Sequence, residues 1–170
     1  MGASLTGDWK KADNIFGAMN PERLKAVQRK ALIRMLLYYK RIIVKNIMAS
    51  GTLVGKPFKK LSDVTIIIKG SSKPLINTGD MVGNITEKLI SEVEGFVGLR
   101  RGDVHLPSGQ NLADIGEIHE WGAIMGESKS GKVTIIPARP FIRPVIESRK
   151  HQKEALKIYE ETIAKGLGFI

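Results

Sequence analysis

The segment from Pro21 to Ser50 constrains the fold more than any other part of the chain. Asn20 stands before a proline at a first helical position, Glu22 faces the positive end of the helix dipole, and Gly51 follows the last apolar turn. Between these signals Leu24, Val27, Ala31, Met35, Tyr38 and Ile42 recur at spacings of three and four. Leu32, Leu36, Ile43 and Ile47 widen the same face. The pattern predicts one long helix whose broad apolar side is the core of the molecule. Its other side is unusual. Eight Lys and Arg stand there against Glu22 alone, the larger part of the chain's net charge of +10. Arg23, Lys30, Arg34, Arg41 and Lys45, spaced by seven and four, form one stripe without an acidic partner. Such a stripe is either solvated surface or a contact with DNA phosphates or an acidic protein. No aromatic residue is interleaved with it to stack on bases.

A chain of 170 residues is enough for one domain with a real core and too short for two ordinary ones, so residues 1–170 are expected to form a single domain, with 1–20 as a flexible N-terminal arm. Hydrophobic residues at 42% with charged residues at 26% fit a soluble chain, and no apolar run nears the roughly 20 residues of a membrane span. There is no cysteine, which excludes disulfides and thiolate metal sites, and the N-terminus shows no secretory pattern; a reducing cytoplasm is expected. Met1 to Thr6 fits the loose N-myristoylation pattern, which has meaning only in a host that carries the transferase.

Past the long helix, Gly55, Pro57, Gly70, Ser71, Ser72 and Pro74 leave room for one short regular element, Val64 to Lys69. Asn77 and Thr78 beside Gly79 suit a turn or a short helix start. Asn84 to Glu94 and Phe96 to Arg100 predict the arms of a hairpin broken at Gly95. Asn84-Ile-Thr86 is a glycosylation sequon without weight in the absence of secretion. Leu106 to Gln110 reads as a loop. Leu112, Ile115, Ile118 and Trp121 mark the inner side of a short helix ending at Gly122.

Two stretches imitate chemistry. His119-Glu120 begins a zinc-protease HExxH, but Ala123 occupies the place of the second histidine. Gly126, Gly131 and Lys132 have the spacing of a phosphate-binding loop. Val133 replaces the hydroxyl that would hold magnesium, however, and Val133 to Ile136 is strand-like before Pro137, so no helix follows to cradle phosphates. The residues between Trp121 and Val133 read as a flexible basic loop. His105, His119 and His151 are scattered and read as ordinary surface or hydrogen-bonded residues. No GxSxG and no carboxylate pair stands out. The chain is not expected to be an enzyme or to hold a cofactor or metal.

Pro137, Pro140 and Pro144 stiffen an extended ribbon from which Arg139 and Arg143 are expected to project. From Pro144 a final helix is expected to run toward Gly166, with Val145, Leu156, Tyr159 and Ile163 on one face and a wholly polar middle at Arg149 to Lys153.

The ordered set Gly55-Lys-Pro-Phe58, Leu61-Ser62, Thr65, Lys69, Pro74-Leu-Ile-Asn-Thr-Gly79, His119-Glu-Trp-Gly122 and Ile136-Pro-Ala-Arg-Pro-Phe141 resembles the Mu-type phage virion morphogenesis proteins. That family is related to the gp-ten-like tail-completion proteins of the neck. The resemblance runs from about Gly55 to Ile146, with nothing specific between Ser91 and Gln110. It implies an α+β subunit, in which a small antiparallel β-sheet is flanked by a long N-terminal helix, a short middle helix and a C-terminal helix. It further implies a ring homo-oligomer, a hexamer, at the head–tail junction of a virion assembled in the host cytoplasm. Connector or neck proteins and tail-tube or tail-terminator proteins would be its partners, with non-specific contact to channel DNA.

On that reading Trp121, Gly122, Pro137, Arg139, Pro140, Phe141 and Arg143 form the subunit or partner interface. A stiff ribbon loses little freedom on binding, and each arginine suits a bidentate carboxylate on a neighbour. Two alternatives stand beside it. Arg139 can instead close an ion pair within its own subunit, and the whole chain can be a basic DNA-binding module, a dimer that lays the Pro21 to Ser50 helix on phosphates.

Overall fold

The cap at Asn20 is made: its Oδ1 accepts the Glu22 amide at 2.9 Å, and Pro21 opens helix α1, Pro21–Met48, with no amide to satisfy. The computed structural model describes residues 20–127, 131 and 133–169, with positions 8, 10, 13, 16 and 17. Most of the expected arm, the Met1 to Thr6 pattern and residues 128–130 and 132 of the expected basic loop lie outside the described residues. At about 1.5 Å per residue α1 is roughly 40 Å long. It buries Val27, Ala31, Leu32, Leu36, Tyr38, Ile42, Ile43 and Ile47, the face read from the sequence, together with Asn46.

The helix ends in paired reverse bonds, Ser50 N–H to the Ile47 carbonyl and Gly51 N–H to that of Asn46, both 2.9 Å. Gly51 has φ +83, and a Cβ there would lie 2.1 Å from the Lys56 carbonyl oxygen, so no other residue allows the chain to fold back. After a 3₁₀ turn at Thr52–Val54 comes α2, Asp63–Lys69, capped by Ser62, and then the single-turn α3, Asp80–Gly83.

Strands β1, Thr86–Leu89, and β2, Gly95–Gly98, form an antiparallel hairpin in which Thr86 faces Gly98 and Leu89 faces Gly95. This hairpin lies on α1. Gly95 permits the approach, since a Cβ there would meet Leu36 at 2.4 Å, and Lys40 Nζ holds Glu87 Oε2 at 2.7 Å. That hydrogen bond keeps the Glu87 carboxyl below its ordinary range. Helix α4, Leu112–Trp121, begins on an Asn111 cap. A second antiparallel pair follows, β3, Ala123–Glu127, with β4, Val133–Ile136; α5, Arg143–Glu147, and α6, Arg149–Leu167, complete the chain. Helix α6 runs antiparallel to α1: Arg23 reaches the Gly166 carbonyl at 3.1 Å, and the Tyr38 hydroxyl is hydrogen-bonded to His151 Nδ1 at 2.7 Å.

The α+β class and the three expected helices are present. Four details differ. The small antiparallel sheet is two separate two-stranded sheets, with β1–β2 on α1 and β3–β4 apart from it. Ala123–Glu127, read as part of a basic loop, is a strand; Gly126, at φ +89, sits where the register shifts between Ile124 and Glu127, so the glycine marks a bulge instead of a break. The final helix is interrupted at Ser148, whose ψ of 112° is extended.

The face of α6 is also rotated. His151, Ala155, Thr162 and Leu167 are buried while Leu156 is 54% exposed. The cause is close helix packing: a Cβ at Gly166 would lie 2.5 Å from Val27, and the Tyr38–His151 bond fixes the other end, so small and hydrogen-bonded residues take the contact. The stretch expected to be wholly polar therefore contains a buried residue, His151.

Phe141, Ile43, Ile47, Ile85, Leu112 and Val145 are the largest fully enclosed apolar side chains. Truncating Phe141→Ala is expected to cost about 3–5 kcal/mol, measured as a lower urea midpoint at unchanged slope. Leu156→Ala is expected to change stability by no more than about 0.5 kcal/mol.

Candidate functional site

Helix α4 buries Leu112, Gly116 and Glu120, an i, i+4, i+8 stripe that differs from the expected Leu112, Ile115, Ile118 and Trp121. Gly116 explains the rotation. A Cβ there would lie 2.5 Å from the Leu99 side chain, so the helix rests on its glycine. Ile115 and Ile118 become half-buried, and Trp121 is 60% exposed.

The rotation carries the Glu120 carboxylate to the start of α5. Its Oε2 accepts the amides of Phe141 at 2.8 Å and Ile142 at 3.1 Å, and its Oε1 accepts that of Arg143 at 2.9 Å. Ile142, at the N-cap position, has no side chain that could do this. A carboxylate 21 positions upstream of Phe141 thus supplies the cap, with its charge at the positive end of the helix.

Arg139 turns inward, a correction to both sequence readings. Its Nε donates to the Lys59 carbonyl at 2.7 Å and its NH2 to that of Lys60 at 3.1 Å, while its backbone amide donates to the His119 carbonyl at 2.7 Å. No carboxylate lies within ion-pair distance of it among the described residues. Two successive carbonyls match the guanidinium fork, which is why the side chain is buried without an acid. Phe141 is likewise interior, with Asn46 Nδ2 reaching its carbonyl at 3.4 Å. Pro137 and Pro140 are half-buried. Of the expected interface set, Trp121 and Arg143 face outward, and the Arg143 guanidinium stacks 4.3 Å from the Trp121 ring centre. Beside this pair runs a groove of about 510 Å³ floored by Phe96, Leu99, Gly116 and Ile142.

Gly122 locks the crossing of the chain before β3 and after β4. It adopts φ +81 and ψ 165, and a Cβ would lie 3.0 Å from both the Ala138 nitrogen and the Ile136 oxygen. His119 stands next to it with a buried Nδ1 that has no hydrogen-bond partner. Burial, then the Arg139 and Lys69 cations, lower its pKa to about 4. Burial and Arg139 also push Lys69 down; its ammonium donates to the Lys73 carbonyl. The stretches around Phe58, Lys69, His119 to Gly122 and Ile136 to Phe141, distant in sequence, therefore meet in one clasp.

The basic stripe divides. Arg34, Arg41 and Lys45, with Lys40 and Lys165, rim an open groove of about 800 Å³ between α1 and α6 whose floor includes Leu37, Val44 and Ile158. Arg34 also donates to Thr162 Oγ1 at 3.3 Å. Arg23 is spent on the C-terminal end of α6, and Lys30 is exposed but outside the groove. Two polar features escaped sequence reading. Glu120 was weighed only against a zinc motif, although its spacing from Leu112 and Gly116 is that of a buried stripe. Tyr38 was read as apolar core and His151 as part of a polar run, so their pairing had no local signal.

Among the described residues no group of three or more His, Asp or Glu is placed to hold a metal ion, and no helix is long and apolar enough to cross a membrane. No family model matches the sequence, and neither curated proteins nor solved structures give a match.

Glu120→Ala leaves the start of α5 without its acceptor and is expected to cost about 2–4 kcal/mol; Glu120→Gln, which keeps one oxygen, is expected to cost less. Chemical denaturation of the two variants checks the order. A pH effect follows from His119. Its ordinary pKa is 6.5 and its folded value about 4, so between these limits the unfolded chain binds a proton that the folded chain does not. Stability is complete above about pH 6.5 and falls toward pH 4 by up to about 3 kcal/mol. Urea midpoints across this range are expected to drop in the wild type and to flatten in His119→Gln.

Proposed function

We propose that this chain is a structural phage virion protein, a tail-completion or neck component that forms a ring at the head–tail junction and terminates or joins the tail. The observation that carries the reading is the clasp. The stretches that resemble the tail-completion proteins converge there, and their polar groups are engaged in holding backbone: Glu120 on three amides and Arg139 on two carbonyls. A site built in this way fixes geometry, and its one unprotonated imidazole, His119, has its free Nδ1 buried away from any substrate, which supports assembly over catalysis. The exposed product of the clasp is the Trp121–Arg143 stack beside an apolar groove, and an aromatic with an arginine over an apolar floor is the composition of a binding hot spot.

In this reading the partners are further copies of the chain, a hexamer, with connector or neck proteins on one side and tail-tube or tail-terminator proteins on the other. The cationic groove between α1 and α6 faces an acidic neck surface or DNA in the channel. A second reading, a DNA-binding dimer, draws on that groove alone. Its apolar floor favours a protein, because phosphates gain nothing from Leu37, Val44 and Ile158.

Native mass by light scattering, with and without duplex DNA at two salt concentrations, separates the readings. The neck reading expects a closed oligomer whose mass is independent of DNA. A dimer whose DNA affinity falls steeply with salt would replace it with the second reading. Trp121→Ala is expected to weaken assembly while lowering the unfolding free energy of the monomer, from urea denaturation, by less than about 1 kcal/mol, as befits an exposed side chain. Charge reversal at Arg41 and Lys45 is expected to impair docking to the neck or retention of DNA without unfolding the chain; normal joining by particles that carry it would leave the groove as solvated surface.

A further inference from the structure

Among the described residues the β3–β4 ribbon, Ala123–Glu127 with Val133–Ile136, is a sheet of two strands with both outer edges unpaired. A two-stranded ribbon is marginal in water unless something covers it. The β1–β2 hairpin has that cover in α1, and β3–β4 has none comparable: Ile124, Met125, Val133 and Ile135 are 47–74% exposed. Ile124 and Ile135 are directly paired and share a face with Val133, while Met125 points to the other face. Natural free edges are blunted by lysine, proline or inward charge. Here Glu127, at the end of β3 opposite Val133, is the one charged residue of the two strands; Ala123 to Gly126 and Val133 to Ile136 carry neither charge nor proline, and Pro137 stands just past the last paired residue. The base of the ribbon is nevertheless fixed, by the Gly122 crossing and by the Arg139 amide on the His119 carbonyl. Among the described residues the ribbon is thus held at its base, apolar over most of its surface and unpaired on both edges.

We propose that second copies of this chain complete the ribbon: β3 of one copy pairs with β4 of the next, and repetition closes one continuous sheet around the assembly. The two open edges argue for this occupant. A strand from a different partner would close one edge and leave the other bare. A row of identical ribbons supplies each edge with the complementary edge of its neighbour, and a head-to-tail arrangement that closes on itself leaves none exposed. The inference rests on the ring reading above and adds to it the segment through which copies join.

The test uses the full chain. Ile124→Lys and Ile135→Lys place a charge on each strand at positions already exposed, so the fold is retained, which circular dichroism and the urea midpoint verify. Leu156→Lys, on the outer face of α6, is the control for a charge added to another exposed apolar site. Native mass across a concentration series is expected to show closed wild-type oligomers, unchanged assembly of Leu156→Lys, and at least about a tenfold higher concentration for half-assembly of both ribbon variants. Amide hydrogen exchange in Ala123–Glu127 and Val133–Ile136 is expected to slow when the wild type assembles. Closed oligomers that form equally well from the ribbon variants, or that leave these amides unprotected, would overturn strand pairing and keep the ring. A wild type that stays monomeric throughout the series would overturn both.

Discussion

The three amides that converge on the Glu120 carboxylate are the constraint on which the rest of the C-terminal half depends. Position 120 is reached only because α4 rests on Gly116, and the amides are presented together only because Pro140 precedes them in an extended chain. Capping α5 fixes Phe141 and Val145, which are both fully enclosed against α1. The direction in which the chain leaves α4 follows from the same contact. Remove the carboxylate and the start of α5, the depth of Phe141 and the seat of the β3–β4 ribbon are released together, which is the coupling expected of a buried charged group that serves several donors.

Arg139 complements this arrangement from the opposite side. A buried cation without an acid is normally costly, because desolvation opposes its charge. Here the charge is met by backbone dipoles, and the guanidinium welds the loop at Lys59 and Lys60 to the chain leaving β4, about 80 residues away. The neighbouring His119, unprotonated at neutral pH, adds no further charge beside the Arg139 and Lys69 cations. Acid and base are therefore used in the same manner, as clips for peptide groups, and they leave the surface chemistry to Trp121 and Arg143.

The parts legible in the sequence are those whose cause is local. The Asn20 cap, the period of α1 and the end of α4 at Gly122 were readable because caps and periodicity act over a few residues. The hairpin was readable as a hairpin, but its turn was not: the break expected at Gly95 falls at residues 90–94, and Gly95 is the first residue of β2, paired with Leu89. The errors come from contacts between distant segments. Trp121 and Leu156 were assigned inward because they are apolar, but the glycines at 116 and 166 set which face packs. Arg139 is expected from the flanking prolines to project from a stiff ribbon, or to pair with an acid of its own subunit, whereas its partners are carbonyls that no side-chain pattern reveals. The segment around Gly126 reads as a basic loop, whereas the glycine accommodates a bulge within a strand. Hydrophobicity states what burial would favour, and the glycines state where close approach is possible; the second signal was the better guide to orientation.

The extended residue at Ser148 divides the C-terminal region into two mechanical parts. Upstream, α5 belongs to the Glu120 clasp; downstream, α6 is fastened along α1 through His151 and Gly166. The two parts are tied across this joint by the Gln152 side chain, which donates to the Ile146 carbonyl at 2.9 Å. Any change in the spacing of α1 and α6 would therefore reach the clasp through one backbone position and one side-chain bond, so the two surfaces of the chain are coupled by a single narrow link.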